Sequence, residues 1–247
     1  MSSLRADAVI VAAGRGERFG AAAKCLALLA GRPLLAYSLD ATELAETIAS
    51  VVVVAGAHTQ AEIHGLITAG PWRKPIQVVL GGSERQDSVA LGVATTDETS
   101  DVVVVHDAAR PLIEPSAFDR CALVAHEVGA AILASPVIDT IKRVRAGNIV
   151  ATVPRDDLWS AQTPQAFRRA SLLSALSSDV ARKRAFTDEA GLFEALGLHV
   201  TIVPNEQPNF KITHPGDLAL VEALLGIRTR EGGAPVEVPD GLAASPT

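Results

Sequence analysis

Five short, almost unbroken apolar runs constrain the fold of this chain most: "AVIVAA", "SVVVVAG", "IQVVLGG", "DVVVVHD" and "AAILASPV". Valine-rich runs of strand length, without alternating polar residues, are buried on both faces, as parallel strands covered by helices are. Between them lie helix-length amphipathic segments such as "PLLAYSLDATELAE", "DSVALGVATT" and "SAFDRCALVAHEVG". This alternation predicts an α/β fold with a mostly parallel sheet flanked by helices. Ligands of such sheets sit beyond the carboxyl ends of the strands, so chemistry is sought there.

Composition narrows the function. With 48% hydrophobic and only 4% aromatic residues over 247 positions, the core is built from Val, Leu, Ala and Ile. A formal net charge of −6 disfavours a nucleic-acid binder, so an anionic ligand needs a local cluster of cations. Cys25 and Cys121 are too few for a disulfide framework and suggest reduced thiols. No run approaches a membrane span or the apolar segment of a signal peptide, and the expected setting is cytoplasmic, with no membrane partner.

The alternation breaks after residue 137. "IDTIKRVRAGNIVATVPRDD" reads as a hairpin, about residues 138–155, with Gly147 and Asn148 near its turn. A two-stranded arm is too small to be stable alone, and its Ile141, Val144, Ile149 and Val153 need a surface. A second copy's identical arm supplies one by two-fold symmetry. Further on, "RRASLLSALSS" and "DEAGLFEALG" read as helices, "HVTIVPN" and "NFKIT" as strands, and "HPGDLALVEALLG" as a closing helix. That helix should hold Pro215 in its first turn and stop at Gly226. One domain over residues 1–226 is expected, followed by a disordered tail over 227–247, where no apolar period is present.

The stretch "VIVAAGRGERFGAAAK", residues 9–24, follows the first strand with three glycines and the cations Arg15, Arg18 and Lys24. A P-loop would require Ser or Thr after the lysine, and here Cys25 follows. A dinucleotide loop would require a shorter glycine spacing than Gly14, Gly16 and Gly20, and an acid at the tip of the second strand. Small residues with several cations suit a triphosphate whose α-phosphorus is attacked, because charge moves onto the departing oxygens. The plain alternative is a solvated basic turn. "GGSERQDS" opens a helix after a strand; Gly81 and Gly82 permit close backbone approach, and Ser88 offers a hydroxyl, or else Asp87 or Ser88 caps the helix. "VVVVHDAARP" puts Asp107 and Arg110 past an apolar strand, where the acid holds a metal, accepts from hydroxyls, or pairs with Arg110 to brace the loop. His106 reads as a packed residue. Lys211 reads alternatively as a solvated edge lysine, and Thr187 as a helix cap.

Taken together, "AAGRGERFG…K", "GGSERQDSV", "HDAARP", "PVIDTIK", "WSAQTPQAF", "TDEA" and "NFKITHPGDL" resemble the 2-C-methyl-D-erythritol 4-phosphate cytidylyltransferases of the non-mevalonate isoprenoid pathway, over roughly residues 7–226. The resemblance implies a Rossmann-like nucleotidyltransferase fold, a protruding β-hairpin dimerisation arm, a homodimer and a Mg²⁺-dependent reaction of CTP with a polyol phosphate. It assigns catalysis to Arg18, Lys24 and Lys211. It gives CTP binding to Ala13, Gly14, Arg15, Gly16, Gly81, Gly82 and Ser88. Acceptor binding falls to Asp107, Ala108, Arg110, Thr140, Thr163 and Thr187, and to Arg155 reaching in from the partner subunit. Asp107 keeps a second candidate role as a metal ligand, as acids at this place in related nucleotidyltransferases do. Rival readings are a ribitol 5-phosphate cytidylyltransferase and a regulatory nucleotide binder; the latter predicts the loss of Arg18, Lys24 or Lys211, and all three are present.

Overall fold

The computed structural model describes residues 4–14 and 23–231. The chain begins with β1 (Ala6–Ala12). A short ribbon of β2 (Leu28–Leu29) and β3 (Arg32–Pro33) leads into α1 (Leu34–Leu44). Next come β4 (Ile48–Ala55), α2 (Gln60–Ala69), β5 (Ile76–Leu80), α3 (Arg85–Thr95) and β6 (Val102–Asp107). After α4 (Pro115–Val128) and β7 (Ala130–Pro136), the chain makes the ribbon of β8 (Ile141–Arg145) and β9 (Asn148–Val153). It closes with β10 (Trp159–Arg168), α5 (Arg169–Leu176), α6 (Asp179–Lys183), α7 (Glu189–Ala195), β11 (Thr201–Pro204) and α8 (Asp217–Glu231).

Seven strands form one sheet in the order β11-β7-β10-β6-β1-β4-β5. The pairs β1–β4, β1–β6, β4–β5 and β7–β11 are parallel, and β10 runs antiparallel between β6 and β7. The five apolar runs are β1, β4, β5, β6 and β7, as their pattern predicts, but β5 is the edge strand and is half exposed rather than buried on both faces. Alternate side chains enter two cores. Ile10, Val53, Val104 and Leu133 pack with Leu35, Leu39 and Phe118 on one face. Val9, Val52, Val103 and Val105 pack with Val89, Val93, Leu172 and Phe193 on the other. Both faces are covered, so β6 is buried along its whole length. The chain moves outward from β1 through β4 to β5, then returns to place β6 on β1's other side. That reversal opens a crevice at the carboxyl ends of β1 and β6, where a ligand can enter.

Two expectations need correction. "NFKIT" is not a strand. Residues 209–213 run without a ladder, and Ile212 is held by isolated long-range bonds, its N–H donating to the Ala109 carbonyl at 2.8 Å and its carbonyl accepting from Lys24 Nζ at 3.1 Å. The closing helix starts at Asp217, after Pro215, and passes through Gly226 to Glu231. A mid-helix glycine costs about 1 kcal/mol. Here Leu224 and Leu225 pack against the cluster of Leu29, Leu34, Leu112, Ile212 and Val221, and Arg228 pairs with Glu114 at 3.1 Å, which offsets that cost. The expected tail therefore loses residues 227–231 to the helix; residues 232–247 lie outside the described part. In addition, "WSAQTPQAF", to which the sequence pattern assigned no element, holds β10, a full strand inside the sheet.

The hairpin forms as the spacing predicts. Its turn residues are Ala146 and Gly147, both with positive φ (46° and 79°), the geometry whose twist matches antiparallel strands. Among the described residues no helix is long and apolar enough to cross a membrane.

Candidate active site

The crevice at the ends of β1 and β6 is a cavity of about 980 Å³. Ala13 and Gly14 line it from the end of β1, and Lys24 and Cys25 from the helical turn that follows. Gly82 and Ser88 face it from the turn between β5 and α3. Asp107 and Ala108 form its floor at the end of β6, and Lys211 and Thr213 close one side. The described ends of the glycine-rich stretch, Ala13–Gly14 and Lys24, thus line the cavity, while Arg15, Gly16 and Arg18 lie outside the described residues.

The Gly81–Gly82 turn is shaped by Ser88. The Ser88 hydroxyl accepts from the Gly82 N–H and donates to the Glu84 carbonyl, both at 3.1 Å. A Cβ on Gly81 would stand 2.6 Å from both the Ser88 hydroxyl and the Ala13 methyl. Only glycine lets this turn lie against the end of β1. Asp87 caps α3 by accepting from the Glu84 N–H at 3.1 Å. Ser88 is buried, and its hydroxyl serves the turn.

Charge concentrates at Asp107. Lys211 Nζ approaches Asp107 Oδ2 at 2.6 Å, and Arg85 Nη2 approaches Oδ1 at 3.1 Å. Burial alone would raise this carboxyl, but Arg85, Lys211 and Arg110 more than offset it and hold it below the usual carboxylate range. The pairing of Asp107 with Arg110 does not occur. Arg110 instead donates from Nη1 to the Asn209 carbonyl at 2.8 Å, which ties the end of β6 to the segment carrying Lys211. Lys24 donates from Nζ to the Ile212 carbonyl at 3.1 Å, so both lysines meet on that segment. Cys25 lies against the cavity with its thiol pushed up by burial to about 11; it stays protonated.

Thr163 stands beneath Asp107 rather than beside the cavity. It is 4% exposed, its hydroxyl accepts from the Asp107 N–H at 3.1 Å, and it meets His106 Nδ1 at 3.0 Å. His106 is fully buried against Phe118, and burial pushes its imidazole down to about 3, so it is a neutral packing residue as its place in the strand suggests. Thr187 is exposed just ahead of α7, whose cap is Asp188, accepting from the Gly191 N–H at 3.0 Å. Thr140 and Arg155 are exposed at the root of the arm, where Arg155 donates to the Ile138 carbonyl.

Two residues escaped the sequence reading. Arg85, the first residue of α3, also holds Glu189 with both terminal nitrogens, at 2.7 and 3.2 Å. Glu189 opens α7 and is 3% exposed. Arg85 and Glu189 stand inside "GGSERQDS" and "TDEA", but only their burial and mutual reach, across more than a hundred residues, reveal the pair.

Among the described residues no group of three or more His, Cys, Asp or Glu could hold a metal. Both oxygens of Asp107 face cations, so this carboxylate does not fit a resident metal site.

The family model described as "IspD: 2-C-methyl-D-erythritol 4-phosphate cytidylyltransferase" matches residues 6–227. A protein of that name from Synechococcus elongatus is 42% identical over 219 residues, covering 88% of this chain and 94% of its own. One from Bacillus licheniformis is 38% identical over 225 residues, covering 91% and 97%. Among solved structures, the Thermus thermophilus 2-C-methyl-D-erythritol 4-phosphate cytidylyltransferase superposes with a TM-score of 0.70 at 31% identity, covering 88% of this chain and 98% of that one. The 4-diphosphocytidyl-2C-methyl-D-erythritol synthase of Anaerococcus prevotii gives 0.80 at 25% identity, covering 91% and 97%. With the match spanning the sheet, the cleft and the arm, this chain belongs to the 2-C-methyl-D-erythritol 4-phosphate cytidylyltransferase family.

Proposed function

We propose that this chain transfers the cytidylyl group of CTP to 2-C-methyl-D-erythritol 4-phosphate, giving 4-diphosphocytidyl-2-C-methyl-D-erythritol and pyrophosphate. The observation that carries this reading is one cavity shared by a glycine turn, two lysines and a buried carboxylate. The Gly81–Gly82 turn presents backbone groups to cytosine, whose amine and carbonyl edge requires an acceptor and a donor. Gly14 and Lys24 face the triphosphate, and Asp107 accepts from hydroxyls of the acceptor.

A phosphate oxygen of the acceptor attacks the α-phosphorus in line, and pyrophosphate leaves. A phosphate dianion is already a nucleophile, so no covalent enzyme intermediate is required. Catalysis consists of positioning and charge stabilisation. Lys24 neutralises the charge that builds on the leaving oxygens, and Lys211 meets the acceptor's phosphate. Mg²⁺ enters as part of the substrate, carried by the triphosphate.

The working unit in this proposal is a cytoplasmic homodimer. Ile138, Val144, Ile149 and Val150 of the arm are 79%, 53%, 64% and 51% exposed in the single chain, an apolar surface that a second arm would cover. Arg155, at the arm's root, then reaches the acceptor phosphate of the neighbouring site.

The test is pyrophosphate release with CTP and each polyol phosphate. Turnover with 2-C-methyl-D-erythritol 4-phosphate well above that with ribitol 5-phosphate is expected. The reverse preference would replace the acceptor and keep the chemistry; no release with either would remove the reading.

A further inference from the structure

Arg85 joins three parts of the cleft that are far apart in sequence. It begins α3, three residues after Gly82 of the base-side turn. Its guanidinium spans two carboxylates, that of Asp107 at 3.1 Å and that of Glu189 at 2.7 and 3.2 Å. Glu189 follows two residues after Thr187, on the acceptor side. Glu189 is nearly inaccessible to water, and a buried carboxylate needs a bidentate cation to stay there. Asp107 Oδ2 is meanwhile met by Lys211. Two carboxylates and two cations therefore form a linear chain, Glu189–Arg85–Asp107–Lys211. Arg85 and Glu189 are the inner, shielded end, with side chains 25% and 3% exposed; Lys211, at 43%, is the open end.

We propose that Arg85 is a positioning residue for the acceptor: clamped by Glu189, it fixes one oxygen of Asp107 so that the other is presented to a polyol hydroxyl. This rests on the reading that Asp107 accepts from the acceptor's hydroxyls. When a hydroxyl donates to Oδ2, Lys211 is exchanged from the carboxylate to the acceptor's phosphate. Arg85 makes the exchange tolerable, because the carboxylate keeps one cation throughout. Without Arg85, Asp107 retains Lys211 as its main partner, and the acceptor must compete for both. Lysine cannot replace arginine here, since an ammonium is a single point of charge and does not fork between two carboxylates.

The test measures kcat and both KM values for the wild type, Arg85→Lys, Arg85→Ala, Asp107→Asn and the double variant Arg85→Ala/Asp107→Asn. Wild-type turnover with 2-C-methyl-D-erythritol 4-phosphate is the first readout; its absence overturns the functional reading and this proposal with it. Given turnover, Arg85→Ala should raise the KM for the acceptor about ten-fold or more while the KM for CTP stays within about three-fold. Arg85→Lys should fall between, with the same split, and it decides the matter if Arg85→Ala does not fold. In the Asp107→Asn background, Arg85→Ala should cost less than about three-fold further, because the two residues act as one unit. Equal rises in both KM values, or full additivity in the double variant, would mean that Arg85 only holds the fold together. Either result overturns the proposal and leaves the functional reading standing.

Discussion

The floor of the cleft and the arm are built on opposite terms. At the floor, both carboxylates have their counter-charges within the chain: Asp107 has Arg85 and Lys211, and Glu189 has Arg85. On the arm, β8 and β9 hold each other through their ladder, but their apolar side chains face outward. The floor is organised before any partner arrives. The arm is not finished by its own chain, and a ribbon of two strands is marginal alone. Charges at the cleft are fixed by intrachain contacts, whereas the apolar surface of the arm, which the proposed dimer would cover, is left open.

The largest effect expected from breaking this contrast lies at Lys24. Lys24→Ala should lower kcat by two to four decades, about 2.7–5.4 kcal/mol of transition-state stabilisation, with a smaller rise in KM for CTP. Unchanged kcat with raised KM would confine Lys24 to ground-state binding. The same variant tests whether the arm completes a neighbour's site. Lys24→Ala and Arg155→Ala enzymes, each nearly inactive, are mixed equally and allowed to exchange. Half the dimers become mixed, each with one intact site of two, so activity should return to roughly a quarter of wild type. No recovery after verified exchange would place Arg155 in its own chain's site.

A smaller effect is expected on the arm itself. Val144→Asp with Ile149→Asp puts charge on exposed positions, so the body should keep its fold while sedimentation shifts from dimer to monomer. A dimer that survives both charges would move the interface elsewhere.

The floor can be probed by acid. Asp107 is held below the ordinary carboxylate range in the folded chain, so its contribution to stability is present above about pH 4, the unfolded value, and is lost as pH falls toward the folded one. Melting temperature should drop between pH 5 and pH 2.5 in the wild type, and by a few degrees less in Asp107→Asn. Equal drops would show that other carboxylates carry the acid sensitivity. The least disturbance belongs to the C-terminus. Removing residues 232–247 should leave the melting temperature within about a degree, whereas cutting after Gly226 also removes the Arg228–Glu114 pair and should lower it by a few degrees.

The parallel strands were legible because burial on both faces leaves no room for polar residues, and the β6 run "VVVVHD" shows this in six letters. β10 was not, although it lies in the same sheet. Its Gln165 and Thr163 are polar yet buried, because Gln165 donates to Asp188 and accepts from the Ala190 N–H while Thr163 serves His106 and Asp107. A strand that exchanges apolar contacts for hydrogen bonds has no periodic signature. The segment carrying Lys211 was mistaken for a strand because "FKI" alternates, while its main chain is tied to the Ala109 and Lys24 contacts instead of a ladder. At the cleft, residue types and spacing pointed to Lys24 and Asp107, whereas Lys211 came only from the family resemblance, its local sequence reading as a solvated edge lysine. The Arg85–Glu189 clamp was hidden, since a charged residue at a helix start ordinarily reads as solvated.

The arm leaves β7 after Pro136 and returns to β10 at Trp159, and these two residues face each other across the ladder. Its two ends are thus already joined, whatever lies between them. Such an excursion can lengthen, shorten or change its sequence over generations without moving a single strand of the sheet. Changes on the arm and changes at the cleft can therefore accumulate on separate stretches of one gene, with Arg155 standing at the arm's root.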